Sequence, residues 1–447
     1  MARLFGTDGV RGLANGEVLT PELALAVARS AAHELLALEP RRGGGPGRPL
    51  AVIGRDTRPS GPMLEAAAAA GFASAGVDVQ LLGVVPTPVV AHACARGGAD
   101  LGLVVSASHN AMPDNGLKLF GPGGWKLPDA VELALENGLG AVRERPTGLS
   151  LGAIDPADPA LVASYAQDLL SVLAAPATGL TVVVDCAQGA ASALAPELYR
   201  RAGATVIAIA ADGDGARIND GSGATHLELL QAAVLEHGAD LGLAHDGDAD
   251  RCLAVDATGT VVDGDQLLAL LAVALQSRGQ LVTGTVVATV MSNLGFVRAM
   301  HDAGIAVVQT AVGDRYVLEA MRAGGHRLGG EQSGHTVLLD HATTGDGLLT
   351  GIGVLGRMAE TGSTLAELAG VMTRLPQVLV NVRAERSRAV AADVLDAVAR
   401  EQGLLGDSGR VLLRPSGTEA LVRVMVEAES PERAAAVADR LAAVVGA

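Results

Sequence analysis

The amino-acid sequence predicts an α/β protein, in which three homologous mixed α/β domains precede a smaller C-terminal α+β domain. Three observations indicate this fold class: a repeated peptide, strands that alternate with helical patterns, and a break in that alternation near residue 373. The 447 residues suffice for several domains of roughly 100–200 residues each. We expect the domains to comprise residues 1–152, 153–255, 256–372 and 373–447.

The repeated peptide relates the first two domains. Residues 98–103 (GADLGL) recur as residues 238–243, and each copy is followed by a short apolar stretch and a polar loop. A looser third copy leads into the loop at 329–335. Each domain also has two predicted strands upstream: 51–54 and 77–82, 181–184 and 204–209, and 286–290 and 305–309. Because loops at strand ends carry chemistry in α/β folds, each repeat should present one such loop.

The terminal domain departs from this pattern. A final helix is expected to begin with Ser430 as its N-cap and Pro431 at its first position. The other predicted elements are a strand at 378–382, a helix at 389–400, and a strand pair at 411–414 and 421–426.

Composition excludes several classes of function. The net charge of -16 argues against a nucleic-acid partner, which would require a basic surface. Three cysteines and an N-terminus without a signal-peptide core predict a cytoplasmic protein. The apolar run 267–275 is too short to span a bilayer, so no membrane partner is expected. We interpret it as a buried helix with Asp265 as its N-cap.

Three alternating aspartates form the first candidate site. Asp246, Asp248 and Asp250 would point to one side of an extended segment and could together bind Mg²⁺. An EF-hand is excluded because its sixth and twelfth positions would be Arg251 and Ala257 rather than Gly and Glu. The alternative for these three aspartates is a solvated acidic turn without a metal. We expect such a turn at residues 212–215 (Asp-Gly-Asp-Gly).

A serine loop occupies the corresponding place in the first repeat. Its sequence, residues 106–110, reads Ser-Ala-Ser-His-Asn. A hydroxyl that caps the next turn is the ordinary explanation. A Ser-His hydrolase is disfavoured because adjacent side chains rarely point at each other and no Gly-x-Ser-x-Gly elbow is present. A phosphoserine beside the three aspartates would form a phosphoryl-transfer centre, with Lys118 and Arg251 balancing its charge.

Two further loops could bind a phosphosugar. Arg414, Arg423 and the loop containing Ser416, Gly417 and Thr418 could hold an anion, although an ordinary hairpin turn would look similar. The side chains of Glu331, Ser333 and His335 could contact sugar hydroxyls, unless this is a glycine-rich loop without a ligand. No P-loop motif is present, which favours a phosphosugar over ATP as the phosphate source. Lysine occurs only at positions 118 and 126.

These motifs, in this order, resemble the α-D-phosphohexomutase superfamily over the whole chain. The resemblance rests on residues 5–12 (FGTDGVRG), 106–110, 246–251, 312–316 (VGDRY), 330–335 and 414–419. It implies four domains around a central cleft, a phosphoserine at Ser108 rather than Ser106, and one Mg²⁺ bound by Ser108 and the three aspartates. Ala111 and Ala420 stand where proline is frequent in the superfamily, which would loosen these loops slightly.

The resemblance also implies roles for individual residues. Arg11 and Lys118 match positions of proton transfer or charge stabilisation, and His109 and His335 match positions near the reacting centre. The remaining matches contact the sugar or its phosphate: Glu331, Ser333, Ser416, Gly417, Thr418 and Arg423. Gln332 is typical of the branch that interconverts glucosamine 6-phosphate and glucosamine 1-phosphate through glucosamine 1,6-bisphosphate, on the route to cell-wall precursors.

Three alternatives to this branch remain at the level of sequence. The first is a phosphomannomutase or phosphoglucomutase of the same superfamily. The second is a metal-dependent phosphatase with Asp246 as its nucleophile, and the third is a phosphosugar-binding sensor without catalysis. The expected partner is a small phosphosugar, and the chain could act as a monomer or a homodimer.

Overall fold

The structure is a computed structural model that describes residues 3–6, 8–38, 47–141, 143–415 and 420–446. The chain forms two compact units. One contains the chain up to Val290 together with Ala306–Ala369, and the other contains Met291–Ile305 and the chain from Gly370 onward. Within the described ranges, no helix combines the length and the apolar character that crossing a bilayer requires.

The first sheet has six strands in the order β1-β5-β4-β2-β3-β6. Its strands are β1 (Val10–Leu13), β2 (Leu50–Arg55), β3 (Asp78–Val84), β4 (Leu101–Val105), β5 (Asp114–Phe120) and β6 (Ile154–Pro156). Its helices are α1 (Pro21–Leu38), α2 (Gly61–Ser74), α3 (Thr87–Ala95) and α4 (Asp129–Gly138). The apolar faces of α1 and α2 pack on the sheet around fully buried Leu64 and Phe72.

The second sheet has five strands in the order β11-β10-β9-β7-β8. Its strands are β7 (Thr181–Asp185), β8 (Thr205–Ile209), β9 (Leu241–His245), β10 (Cys252–Asp256) and β11 (Val261–Val262). The helices of this domain are α5 (Ala160–Ser171), α6 (Ala191–Arg201) and α7 (Glu228–His237). All residues of β9 and β10 are buried, as expected for strands with both faces covered.

The third sheet has four strands in the order β13-β12-β14-β15. They are β12 (Thr285–Thr289), β13 (Ala306–Thr310), β14 (Leu328–Gly330) and β15 (Thr336–Leu338). The surrounding helices of the same unit are α8 (Gly264–Ser277), α10 (Asp314–Gly324), α11 (Gly347–Thr361) and α12 (Leu365–Ala369), whereas α9 (Leu294–Asp302) belongs to the second unit.

The predicted repeat is confirmed by strand pairing. β2 lies between parallel neighbours β3 and β4, β7 lies between β8 and β9, and β12 lies between β13 and β14. In each sheet the strand that precedes the polar loop pairs antiparallel with the strand that follows this loop: β4 with β5, β9 with β10, and β14 with β15. The polar loops therefore follow equivalent strands, β4, β9 and β14.

The second unit contains the predicted α+β domain. Its sheet has the order β16-β18-β17, with β16 (Gln377–Arg383), β17 (Arg410–Pro415) and β18 (Leu421–Glu427) all antiparallel. The helices α13 (Ala392–Leu405) and α14 (Pro431–Gly446) pack around a core that includes Val424 and Leu441. The Oγ of Ser430 accepts from the Arg433 amide at 3.2 Å, which agrees with the predicted N-cap.

Two local expectations are wrong. The apolar run 267–275 does lie in buried helix α8, but its N-cap is Asp263, not Asp265. Asp263 forms a capping box with Gln266, so the helix begins two residues earlier than predicted. The second error concerns residues 246–250, which form a turn after β9 and not an extended segment.

Candidate active site

Ser108 lies in the loop after β4, and its backbone adopts a left-handed conformation with φ of 53°. This conformation costs a residue with a Cβ atom roughly 1–2 kcal/mol. The Ser108 hydroxyl is buried and donates to Asp246 Oδ2 at 2.5 Å. His109 Nδ1 lies 3.3 Å from Ser108 Oγ, so the adjacent side chains of Ser108 and His109 do approach each other, contrary to expectation.

The three aspartates converge because the turn after β9 is tight. Ala249 has a φ of 57°, and Asp246, Asp248 and Asp250 each place a carboxylate oxygen within 4.8 Å of the others. All three side chains are buried. Among the described residues, Oδ1 of Asp248 and Oδ1 of Asp250 have no hydrogen-bond partner. Buried carboxylate oxygens without donors are costly, so this cluster suits a hard divalent cation.

Burial and the neighbouring charges both shift the pKa values in this cluster. Burial, followed by the charges of Asp250 and Asp248, raises the pKa of Asp246 to about 8. Burial alone would lower the pKa of Lys118, but the carboxylates of Asp248, Asp250 and Asp8 raise it well above its usual value. Lys118 therefore stays charged and offsets part of the negative charge.

Lys118 and Arg251, the two side chains predicted to balance the charge, lie beside the cluster, and Arg11 is linked to it through Asp8. Lys118 Nζ lies 2.6 Å from Asp248 Oδ2 and 3.1 Å from Asp250 Oδ2. Arg251 Nε lies 4.0 Å from Asp246 Oδ2 and 3.9 Å from Asp250 Oδ1. Arg11 pairs with Asp8, which is itself 3.0 Å from Lys118 Nζ.

A second charge network was missed at the level of sequence. Lys126 Nζ lies 2.5 Å from Asp8 Oδ1 and also pairs with Asp314, whose Oδ2 is 3.5 Å from His335 Nε2. His335 is thereby brought to the same region as Lys118. The signal for this network was available, since Asp8 and Asp314 lie in the quoted motifs and Lys126 is one of two lysines.

His109 differs from the neighbouring cations in its charge. Burial, followed by the charges of Arg251 and Arg11, lowers its pKa to about 4. A neutral imidazole beside the Ser108 hydroxyl can accept or relay a proton at neutral pH.

The predicted sugar loop, residues 331–335, forms a compact turn against the second domain. Glu331 and His335 are joined through the Glu331 amide and the His335 carbonyl at 3.0 Å, and Glu331 Oε1 accepts from the Gly313 amide at 3.2 Å. Gly334 has a φ of 91°, and a Cβ there would lie 2.4 Å from the Cys252 carbonyl oxygen. Ser333 is half-buried. Only glycine permits this close approach, which fixes the loop next to β10.

In the second unit, Arg414 and Arg423 lie directly opposite each other on β17 and β18. Burial, with the neighbouring Arg423 charge, lowers the pKa of Arg414. Arg423 Nε is buried, and within the described residues it has no hydrogen-bond partner. Ser416, Gly417 and Thr418 lie outside the described residues. Two adjacent guanidinium groups attract an anion, and the anion site predicted for this loop stays a prediction.

Known protein families match almost the whole chain. Sequence models of the phosphoglucomutase/phosphomannomutase family match four times: alpha/beta/alpha domain I at residues 2–145, domain II at 163–259, domain III at 263–375, and the C-terminal domain at 379–444.

Curated relatives are similar along their full length. The phosphoglucosamine mutase of Frankia casuarinae is 63% identical over 451 residues, covering 100% of this chain and 98% of the relative. The phosphoglucosamine mutase of Saccharopolyspora erythraea is 60% identical over 450 residues, covering 100% of both chains.

Solved structures show the same fold. A phosphoglucomutase/phosphomannomutase family protein from Burkholderia thailandensis has a TM-score of 0.83 and 26% identity, covering 99% of this chain and 97% of that one. Aspergillus fumigatus N-acetylphosphoglucosamine mutase, in complex with GlcNAc-6P and magnesium, has a TM-score of 0.71 and 20% identity, covering 99% and 95%. On the identity of its relatives and the four domain matches, this chain belongs to the phosphoglucomutase/phosphomannomutase family and, within it, to the phosphoglucosamine mutases.

Proposed function

We propose that the protein interconverts glucosamine 6-phosphate and glucosamine 1-phosphate by passing phosphate through Ser108. The observation that carries this proposal is the position of the Ser108 hydroxyl, 2.5 Å from Asp246 Oδ2 at the edge of three converging carboxylates. The names of the curated relatives support glucosamine as the sugar.

Each half-reaction exchanges one phosphorus–oxygen bond for another. In the first, the bond between phosphorus and Ser108 Oγ breaks, and a bond forms between phosphorus and the free hydroxyl oxygen of the sugar. The hydroxyl proton ends on Ser108 Oγ, which leaves glucosamine 1,6-bisphosphate and an unmodified serine. In the second, the bisphosphate has turned end for end and returns its other phosphate to Ser108.

The side chains nearest Ser108 divide into a proton carrier and charge stabilisers. His109 Nδ1 is 3.3 Å from Ser108 Oγ, which is within reach of the proton to be moved once a substrate tightens the site. Lys118 and Arg11 are held in ion pairs. We therefore assign charge stabilisation, and not proton transfer, to Lys118 and Arg11.

The residues present suit one Mg²⁺. Ser108 Oγ, Asp246, Asp248 and Asp250 would hold it, because the free Oδ1 atoms of Asp248 and Asp250 supply oxygen ligands without competing donors. When bound, the ion supplies positive charge to the phosphate oxygens.

The remaining predicted contacts complete the proposal. Glu331, Ser333 and His335 would contact the sugar; His335 Nε2 is buried and, within the described residues, has no hydrogen-bond partner, which suits a contact to a ligand. Arg414, Arg423 and the loop with Ser416, Gly417 and Thr418 stay predicted phosphate ligands. The product would feed the synthesis of UDP-N-acetylglucosamine and cell-wall precursors in the cytoplasm. The three cysteines are free and buried, which suits a reducing compartment.

A substrate panel tests the sugar. Turnover of glucosamine, glucose and mannose phosphates is measured with Mg²⁺ and the matching bisphosphate as primer. We expect kcat/KM for glucosamine phosphates to exceed the other values by at least about 10-fold, since a site that pairs with an amino group disfavours substrates that lack it. A higher value for glucose or mannose phosphates would assign the chain to a phosphoglucomutase or phosphomannomutase activity.

Intact-mass measurement tests the phosphate carrier. Ser108→Ala should lose both the bound phosphate and turnover, whereas Ser106→Ala should still carry phosphate because its hydroxyl is committed to Asp56. Turnover by Ser108→Ala with release of free phosphate would instead indicate a phosphatase with an aspartate nucleophile. Binding of the phosphosugar without isomerisation by the wild type would indicate a sensor.

A further inference from the structure

Arg58 is a fully buried arginine in the loop after β2. A buried guanidinium needs a partner for its charge and acceptors for its five N–H groups. Its Nε donates to Asp56 Oδ2 at 2.8 Å, and both side chains of this ion pair are fully buried. Its two Nη atoms donate at 2.5–3.0 Å to four backbone carbonyls: those of Ser108, Asn110 and Ala111 in the loop after β4, and that of Asp114 at the start of β5.

These contacts hold the strained backbone at Ser108 from its carbonyl side. The Ser108 carbonyl oxygen accepts from Arg58 Nη2 at 3.0 Å. A residue with a Cβ atom persists at a φ of 53° only where its surroundings over-determine it. The direction of Ser108 Oγ depends on this conformation, because the side chain is attached directly to the strained residue.

The amide side of Ser108 is held through the same ion pair. The Ser108 amide donates to Ser106 Oγ at 2.9 Å, and the Ser106 hydroxyl donates its proton to Asp56 Oδ2 at 2.6 Å. Asp56 therefore fixes which way the Ser106 hydroxyl points, and Arg58 balances the charge of Asp56. Arg58 thus supports both peptide groups that flank Ser108: the carbonyl by a direct hydrogen bond, and the amide through Ser106 and Asp56.

The loop has a second, independent support. Asn219 Nδ2 donates to the carbonyl oxygens of Ser108 at 2.9 Å and Asn110 at 3.0 Å, which are also acceptors of Arg58. Asn219 is 111 positions away in sequence and belongs to the second domain. A Cβ at Gly247 would lie 2.5 Å from the Ser108 carbonyl oxygen, so the turn of the three aspartates packs against the same peptide group.

We propose that Arg58 is a positioning residue for phosphoryl transfer, which sets the backbone of Ser108 so that Oγ points at Asp246. The inference rests on the proposed role of Ser108 as phosphate carrier. Arg58 is fully buried and so does not touch the sugar. Loss of Arg58 should therefore lower kcat and leave KM almost unaltered, since misplacing a reacting atom by about 1 Å costs on the order of 10²-fold in rate.

The test compares Arg58→Lys with the wild type. Lysine keeps the positive charge beside Asp56 but has three donors in place of the planar fork, and so it cannot serve four carbonyls and a carboxylate together. We expect kcat to fall by about 10- to 100-fold and KM for the sugar phosphate to stay within about 2-fold. A single-turnover measurement, starting from enzyme phosphorylated by the bisphosphate, should show the same loss in the transfer step.

Phe72→Ala is the control for a loss of stability alone. Phe72 is fully buried in the core of the first domain, and its truncation should lower Tm without moving Ser108. The inference is supported if Arg58→Lys loses kcat while Phe72→Ala, at equal or lower Tm, keeps it. It is overturned if Arg58→Lys retains kcat within about 3-fold of the wild type, or if both variants lose kcat alike.

The double variant Asp56→Asn with Arg58→Gln decides the matter if Arg58→Lys does not fold. It removes the buried ion pair as a unit, so that no charge is left buried without its partner. A fall in kcat of at least about 10-fold at constant KM supports backbone positioning by Arg58, and kcat within about 3-fold of the wild type overturns it. Failure of the underlying function is seen separately, because the wild type would then carry no phosphate on Ser108.

Discussion

Lys118 shows why lysine is retained at a site where arginine is used almost everywhere else in the chain. Its Nζ lies within 3.1 Å of carboxylate oxygens from Asp8, Asp248 and Asp250. A compact ammonium with three donors can face three carboxylates in different directions, whereas a planar guanidinium directs its donors into one plane. The geometry of the carboxylates, and not charge alone, selects lysine at this position.

Asp346 provides a prediction about pH. It caps α11 through the Leu349 amide at 2.9 Å and accepts from the Tyr165 hydroxyl. Burial raises its pKa to about 6, against about 3.9 in an unfolded chain. The folded state thus binds the proton more tightly. This contribution to stability is complete below about pH 4 and is lost as the pH rises through about 6.

Asp346→Asn should remove this dependence, because asparagine is also a good N-cap but does not titrate. We expect the free energy of unfolding of the wild type, relative to the variant, to fall by about 2 kcal/mol between pH 4 and pH 7. Urea unfolding of both proteins at low concentration measures it. A constant difference across this range would show that Asp346 does not titrate there.

At the same residue scale, the sequence predicted the side chains that stand out locally and missed those that act through distant contacts. The three aspartates could be recognised because they lie within five positions after an apolar strand. The choice of Ser108 over Ser106 followed from family resemblance, and the structure adds a physical reason, since the Ser106 hydroxyl is committed to Asp56. Asn219 could not be predicted, because its partner Ser108 is 111 positions away.

At the scale of elements, the repeat was predictable and the local turn geometry was not. Spacing and hydrophobic pattern are shared by the three copies, so the strands that precede the polar loops could be matched from sequence. The turn at Asp246–Asp250 was predicted as extended because alternating aspartates suggest a period of two. The left-handed Ala249 has no sequence signal, since alanine rarely adopts a φ of 57°.

The N-terminus of α8 provides a prediction for an element. Asp263 Oδ1 accepts from the Gln266 amide at 3.1 Å, and Gln266 Oε1 accepts from the Asp263 amide at 3.2 Å. Asp263→Ala removes the cap and should lower the free energy of unfolding by about 1 kcal/mol. Asp263→Asn keeps an acceptor in the same place and should cost less. Equal losses for the two variants in urea unfolding would contradict the capping role.

At the scale of the whole molecule, the net charge of -16 opposes the approach of a phosphorylated sugar. In the described part of the first unit, four cationic side chains lie among five carboxylates, which makes this region close to neutral: Lys118, Lys126, Arg11 and Arg251 with Asp8, Asp246, Asp248, Asp250 and Asp314. Charges beyond about 10 Å are largely screened at physiological salt, so a substrate at this site meets a nearly neutral region and not the full negative charge of the chain, and a bound divalent cation would make the region positive. The acidic composition and an anionic substrate are therefore compatible.

The three clustered aspartates link the stability of the whole protein to a divalent metal. The buried oxygens of Asp246, Asp248 and Asp250 converge only in the folded chain, where their repulsion is a cost that a bound cation relieves. Mg²⁺ at 100 times its Kd should therefore raise the free energy of unfolding by about 2.7 kcal/mol. Urea unfolding in Mg²⁺, compared with EDTA at matched ionic strength, measures the increase.

Asp248→Asn is the matched variant for this measurement. It removes one ligand charge and part of the repulsion, but it also weakens the buried ion pair with Lys118, whose Nζ lies 2.6 Å from Asp248 Oδ2. Without metal we therefore expect it to be less stable than the wild type, and the quantity compared is the increase that Mg²⁺ gives to each protein. In Mg²⁺ its stabilisation should shrink by more than half, because a neutral amide oxygen is a weaker ligand than a carboxylate. An equal Mg²⁺ effect in both proteins would place the metal-dependent stabilisation elsewhere in the chain.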